Sequence, residues 1–316
     1  MTALDTFLPI AVVYATPLLV AALGGLFSER SGVVNIALEG TMMVGGFAAA
    51  TVTVLLEQRL GGGAGLVGLA AALAAGLAFS VLHAVACVHL RADQVVSGTA
   101  LNLLAGGLTV YLCQIVFHQQ RTDAFAVGLS RGSLPGLAAL PVLGSAFFRD
   151  VYPTTPAALV LVVAVWVLVE RTPFGLRLRA CGEHPQAAAS VGIDVVRIRY
   201  AGVLLSGALA GLAGGATVLT QDIQYTLGSI HGTGFIALAC LIFGKWRPFG
   251  ILGAALFFGV SEALSIYAKD ISFLSAVPPE LFYALPYALT VVALVVFSGR
   301  AVGPRALGEP YDAGRR

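Results

Sequence analysis

Few side chains here could do chemistry, and their spacing excludes most of it. His83 and His89 lie six apart in one apolar run, on different faces of a helix, so packing or interfacial roles suit them better than a shared ligand. Cys87, Cys113 and Cys240 fall in apolar segments and Cys181 in a basic loop, at spacings that form neither a metal site nor a disulfide framework. A phosphate-cradling P-loop needs G-x-x-x-x-G-K-[ST]. The only Gly-Lys pair, Gly244-Lys245, is followed by Trp246 and has Ala239 where the first glycine belongs. There is no Ser-His-Asp arrangement and no close pair of carboxylates. We expect no catalytic residue, no metal and no cofactor bound by this chain.

The other candidates are polar groups inside apolar runs. The chain is 58% hydrophobic and 11% charged, with a mean hydropathy of +0.90, values that belong to an all-α polytopic integral membrane protein. A net charge of +2 concentrated in loops gives no reason to expect a nucleic-acid partner. In a bilayer an ionisable side chain costs roughly 2.5 to 3.5 kcal/mol and usually faces protein or water. Glu39 sits one turn into a span, where the positive helix end favours a carboxylate; the alternative is lining a substrate path. Asn35 is placed to cap that helix or to line the path. Asn102, far from a helix end, suits a path or an interhelical hydrogen bond. Ser97 joins it as a path candidate. Glu262, in the outer third of its run, lines the path or snorkels outward.

The elements that position these groups are apolar runs at 7–27, 36–56, 66–90, 95–117, 154–170, 200–219, 232–243, 248–267 and 281–298. That makes about nine segments, with eight to ten compatible with the pattern. The run 232–243 is too short to cross as a straight helix, which predicts a broken or re-entrant segment. Gly24–Gly40 is similarly interrupted by glycines and polar residues, and such breaks point to a translocation path. The N-terminal run carries Asp5 and no early Lys or Arg, so it reads as a retained first span. Arg171, Arg177, Arg179, Arg197 and Arg199 in one loop, Lys245 and Arg247 in a short link, and the arginines of the tail all belong on the cytoplasmic side. This gives a single transmembrane domain over 1–298 with an outside N-terminus, an extracytoplasmic loop 118–153, a cytoplasmic loop 171–199 and a cytoplasmic tail 299–316.

In the basic loop, "TPFG" breaks the preceding helix at Pro173 and Gly175, and "LRLRA" follows at the membrane surface. "GEHPQAAASVGI" then predicts a short helix, with Pro185 in its first turn and Gly192 ending it. Small residues on a cytoplasmic helix let a partner's backbone approach, so the loop reads as a docking element.

Gln186-Ala187-Ala188 followed by Gly192 resembles the E-A-A-x-x-x-G pattern of permease subunits in binding-protein-dependent ABC importers, with Gln for Glu. "ERSGVVNIALEGTMMVGGFAA", "DQVVSGTALNLLAGGLTVYL" and "GTGFIALACLIFGKWRPFGILGAALFFG" resemble the nucleoside-type branch of the ribose and branched-chain amino acid permeases. The resemblance covers most of residues 20–298. It implies a multi-pass inner-membrane subunit that pairs with a second permease chain or a copy of itself. It also implies an ABC ATPase subunit that binds ATP and Mg, an extracytoplasmic substrate-binding lipoprotein and a nucleoside substrate. Gly182, Glu183, His184, Pro185, Gln186, Ala187, Ala188, Gly192 and Ile193 would form the ATPase-coupling helix. Ribose-type sugars or branched-chain amino acids are the alternative cargo. An ion-coupled transporter would display charges near mid-membrane, where this chain has almost none.

Overall fold

The computed structural model describes residues 3–136, 138, 143–267 and 303–312, with isolated positions 281, 284, 288, 291 and 292. The predicted run 281–298 lies outside the described residues apart from those positions. The described elements are α1 (Ala3–Arg30), α2 (Leu38–Leu60), α3 (Ala64–Ala84), α4 (Gln94–Phe117), a five-residue α5 (Leu143–Phe147) and α6 (Thr154–Arg171), followed by α7 (Pro173–Glu183), α8 (Pro185–Ser190), α9 (Val195–Gln221), α10 (Thr233–Phe243) and α11 (Pro248–Tyr267).

Six continuous stretches among the described residues are long and apolar enough to cross a membrane, and the second, Leu38–His89, runs for 52 residues. At 1.5 Å per residue that is about 78 Å, over twice a hydrocarbon core, so it must reverse. It does so at Gly61–Gly63, where Gly61 has φ +51°, and α2 returns against α3 as a hairpin. A π-turn, Val85–His89, closes α3.

The centre is made by α1 and α9. In their most apolar windows 83% and 78% is buried, against 22% for α4 and 28% for α6, so the first two are inner helices and the last two form the rim. Close packing follows from small residues. A Cβ at Gly214 would fall on the Met42 carbonyl and one at Gly211 on the Ala72 carbonyl, so α9 lies backbone to backbone on α2 and α3. Pro17 inside α1 cannot donate to the Val13 carbonyl; Gln221 Nε2, at the end of α9, does so instead at 3.4 Å.

The basic segments gather at one end. Arg30 Nη2 donates to the Trp246 carbonyl at 2.8 Å, Arg91 pairs with Asp312 at 3.2 Å, and Gly308 N donates to the Gly32 carbonyl at 3.1 Å. At the other end Glu57 Oε1 accepts from Ala126 N and Val127 N, both at 2.8 Å, which ties the α2–α3 turn to the long loop.

The segment 171–199 corrects the sequence reading in two ways. "PFGLRLRACGE" is a helix, α7, with Pro173 at its first position and Thr172 Oγ1 accepting from Gly175 N at 3.2 Å. Pro173 thus starts a helix as well as ending one, and Gly175 is required because a Cβ would collide with the carbonyls of Leu168 and Val169. Arg199 is no loop residue: α9 begins at Val195 and buries Arg199 to 1% exposure.

Candidate translocation path and coupling segment

Between α1 and α2 the chain leaves helical geometry, and side chains of α3 and α4 bond its exposed backbone. Gln94 Oε1 accepts from Val34 N at 2.6 Å. Asn102 grips the break from both sides: Nδ2 donates to the Ile36 carbonyl at 3.0 Å, and Oδ1 accepts from Gly40 N at 2.8 Å. His83 Nε2 lies 2.9 Å from the Val34 carbonyl, which can only accept. A neutral ring donating there leaves Nδ1 to accept from Ser97 Oγ, 3.0 Å away. Asn35 Nδ2 donates to Ser206 Oγ of α9 at 2.8 Å. Asn35 therefore does not cap α2: Ala37 occupies the N-cap position with no side-chain cap bond, and the Asn35 amide points across to α9 instead.

Glu39 joins the two irregular regions. It stands in the first turn of α2 but spends its carboxylate on another helix, accepting from Gly232 N at 2.8 Å and Gly234 N at 2.7 Å. These are orphan donors at the N-terminus of α10, so the 11-residue helix can begin inside the protein. Gly232 has φ +81°, and a Cβ on Gly234 would come within 2.5 Å of Glu39 N, so the approach demands glycine at both positions. The non-helical link before α10 is covered as well. Tyr225 is buried, its hydroxyl donates to Thr109 Oγ1 at 2.9 Å, and its carbonyl accepts from Thr122 N of the long loop at 3.1 Å.

The structure thus brings Asn35, Glu39, Ser97 and Asn102 to one locus. Glu262 makes no hydrogen bond to that locus among the described residues; it is half-buried on α11, within electrostatic reach of Tyr14 and of His231, which also lies near Glu39. Sequence reasoning missed Gln94, Ser206 and the Glu29–Trp246 pair, in which the indole N–H donates to Glu29 Oε2 at 2.6 Å. The signal for the last was a carboxylate beside Arg30 at the inner end of a span. Among the described residues no group of His, Cys, Asp and Glu could hold a metal ion.

At the basic end, Gly182 and Glu183 finish α7, His184 is the cap, Pro185 is the first residue of α8, and Gly192, at φ +86°, turns the chain toward Ile193 and α9. The small residues divide between two faces. Ala188 is 4% exposed and packs with Cys181, Val195 and Tyr311, so it is an internal contact and not a docking knob. Gln186, Ala187 and Gly192 are exposed, and Val191 is 75% exposed. Burial also pushes the Cys181 thiol up to about 11. The tail straps this region down: Ala306 N donates to the Gly182 carbonyl at 2.9 Å and Arg199 Nη1 to the Glu309 carbonyl at 2.8 Å.

Comparison with known proteins agrees with this architecture. A family described as "Branched-chain amino acid transport system / permease component" matches residues 8–294. The guanosine ABC transporter permease protein NupQ of Bacillus subtilis is 46% identical over 313 residues, 99% of this chain and 98% of the relative. The nucleoside ABC transporter permease protein NupC of Lactococcus lactis is 40% identical, covering 95% of this chain and 94% of its own. The putative glucose ABC transporter permease protein TsgC13 of Haloferax volcanii is 33% identical, covering 94% of each. With a helical membrane architecture and a family match over nearly its whole length, this chain belongs to the permease-component family of branched-chain amino acid-type transport systems.

Proposed function

We propose that the chain is one membrane subunit of an ATP-driven nucleoside importer. The observation that carries the cargo is the near-full-length likeness to two permeases named for guanosine and for nucleosides, greater than that to the relative named for glucose. Sugar import by the same machinery is the second reading, and the glucose-named relative is its support.

In this reading the end that holds Arg30, Arg91, α7, α8 and the tail is cytoplasmic, because Lys and Arg concentrate there. The N-terminus and the loop 118–153 lie outside, facing the lipoprotein that delivers substrate. A second permease chain, related or identical, completes the path. ATP and Mg bind on the separate ATPase, which seats against the exposed face of α8 and the turn at Gly192. Movement of α8 reaches α9 through Ala188 and Val195, α1 through the Gly182 contact with the Arg30 carbonyl, and the break at 31–37 through Ser206 and Asn35. A cavity fed by a tight capture protein needs only weak polar groups, which lets cargo leave inward.

Uptake of labelled guanosine, ribose and leucine by cells carrying the complete complex tests the cargo. Guanosine uptake competed by other nucleosides is expected; ribose or leucine uptake without guanosine uptake would overturn it.

A further inference from the structure

The end that carries α8 also holds a cavity of about 870 Å³ with no role in the reading above. It lies between the last turn of α6, the middle of α7 and the first turn of α11. Its lining includes five cationic side chains, Arg30, Arg171, Arg179, Lys245 and Arg247, against one carboxylate, Glu170.

Two of the five cations are already engaged. Arg179 pairs with Glu170 at 2.9 Å, and Arg30 donates to the Trp246 carbonyl. Lys245, Arg247 and Arg171 have no anionic partner among the described residues, although the Arg171 guanidinium stacks 5.1 Å over Trp166. The backbone is shaped to present two of them. Lys245 and Trp246 both have left-handed geometry, φ +53° and +52°, which is unfavourable for non-glycine residues. Trp246 turns inward to Glu29, and the exposed Lys245 and Arg247 turn outward on either side of it. The first turn of α11, with Pro248, Phe249 and Gly250, lines the same space and adds its positive helix end.

Arg171, in the cavity wall, ends an apolar stripe on α6. Val160, Val163 and Val167 are 69%, 49% and 41% exposed on α6 and recur at helical spacing, and Arg171 follows four residues after Val167 on the same face. From Val160 to Arg171 this face runs about 16 Å along the axis. Trp166 and Phe249, with ring centroids 5.9 Å apart, stand at the junction, the position aromatic side chains take at a membrane interface. An apolar strip ending in unpaired cations fits one chemistry: a phosphate ester with an acyl chain.

We propose that this cavity is a binding site for an anionic phospholipid, its phosphate held by Lys245, Arg247 and Arg171 and its acyl chain lying on the Val160–Val167 stripe. A basic pocket between membrane helices is suited to such a headgroup. The site needs only the membrane placement of the chain and is independent of its cargo.

The test uses the purified full-length chain in mixed micelles, with retention of phosphatidylglycerol and of phosphatidylcholine followed by native mass spectrometry. Phosphatidylglycerol retention at least tenfold above phosphatidylcholine is expected, falling about tenfold in K245Q/R247Q, with each cation near a headgroup contributing a several-fold share. R149Q removes a charge at the opposite end and retains the lipid fully. V163N/V167N, which leaves every cation in place, lowers retention as well if the acyl chain lies on α6. Equal retention by K245Q/R247Q and the parent chain overturns the site. Displacement of the lipid by millimolar inorganic phosphate, with V163N/V167N unchanged, reassigns the cavity to a free anion and overturns the lipid. Unaltered lipid retention in K245Q/R247Q with loss of ATPase co-purification makes it a protein contact and overturns the proposal equally. A circular dichroism melt matching the parent shows that each variant is folded.

Discussion

The chain leaves regular transmembrane helix in two contrasting places. The break at 31–37 lies inside the protein; side chains of α3 and α4 hold its backbone, and Ser206 of α9 holds the Asn35 side chain. The segment 172–194 lies at the end of the bundle as two short helices, and one face of α8, with Gln186 and Ala187, is exposed. The polar residues of the first region are largely engaged in hydrogen bonds within the chain, although Asn35 Oδ1 and Gln94 Nε2 are buried without a partner among the described residues. The small residues of the second are half spent on internal packing and half left open. A buried polar side chain in this fold is thus first a support for broken backbone, whereas an exposed small one is available to a partner.

The sharpest way to break the contrast is at Glu39. Replacing it with leucine leaves two donors of α10 unpaired, at a cost of about 3 kcal/mol or more. Thermal unfolding of the purified chain in detergent should show the largest loss of any variant here, and Glu39→Gln, which keeps an acceptor, should recover much of it. An unchanged melt for Glu39→Leu would show that the carboxylate does not hold α10.

Next comes the division between the faces of α8. Ala188→Trp forces an indole into the contact with Cys181, Val195 and Tyr311 and should destabilise the chain by about 1 to 3 kcal/mol. Ala187→Trp, on the exposed face, should leave the melt unchanged but lower coupled uptake at least tenfold. If both behave alike, the two faces are not distinct.

Asn102→Ala removes the hydrogen bonds to Ile36 and Gly40 and should cost about 1 kcal/mol, because interhelical bonds in membranes average only about 0.6 kcal/mol each. If Asn102 also lines the path, maximal uptake falls further than that loss explains, while the capture protein's affinity stays constant.

The last effect is on chemical reactivity and involves no loss of stability. The thiolate is the nucleophile, so a Cys181 thiol pushed up to about 11 and fully buried should react at neutral pH about a hundredfold slower than a cysteine introduced at Gln186. Its rate should climb with pH until near 11, whereas the exposed cysteine levels off near pH 8.5. Maleimide labelling against pH in the folded chain measures both. For sidedness, Gln186→Cys is the better reporter than Cys181.

Much of this was legible in the sequence because hydrophobic length and the distribution of arginine report directly on the solvent. The runs at 36–56, 95–117, 154–170 and 248–267 correspond closely to α2, α4, α6 and α11, and 232–243 is the short helix its length predicted. The α8 helix was readable from Pro185 and Gly192. What each polar group touches was not. That Glu39 serves α10 instead of its own helix depends on a contact across 193 residues, which no local pattern records. Asn35 looked like a cap because caps are local, yet its partner is Ser206. The orientation of Ala188 was hidden for the same reason, since a six-residue helix is too short for periodicity to assign a buried face.

The central claim, that this chain moves nucleosides by way of α8, is tested most directly by guanosine-dependent ATP hydrolysis. The measurement uses the reconstituted complex with its ATPase and capture protein, comparing the parent chain with Ala187→Trp. The account predicts that guanosine-loaded capture protein stimulates hydrolysis several-fold in the parent and not in the variant, with both complexes folded. Equal stimulation in the two, or stimulation by ribose or leucine in place of guanosine, would contradict it.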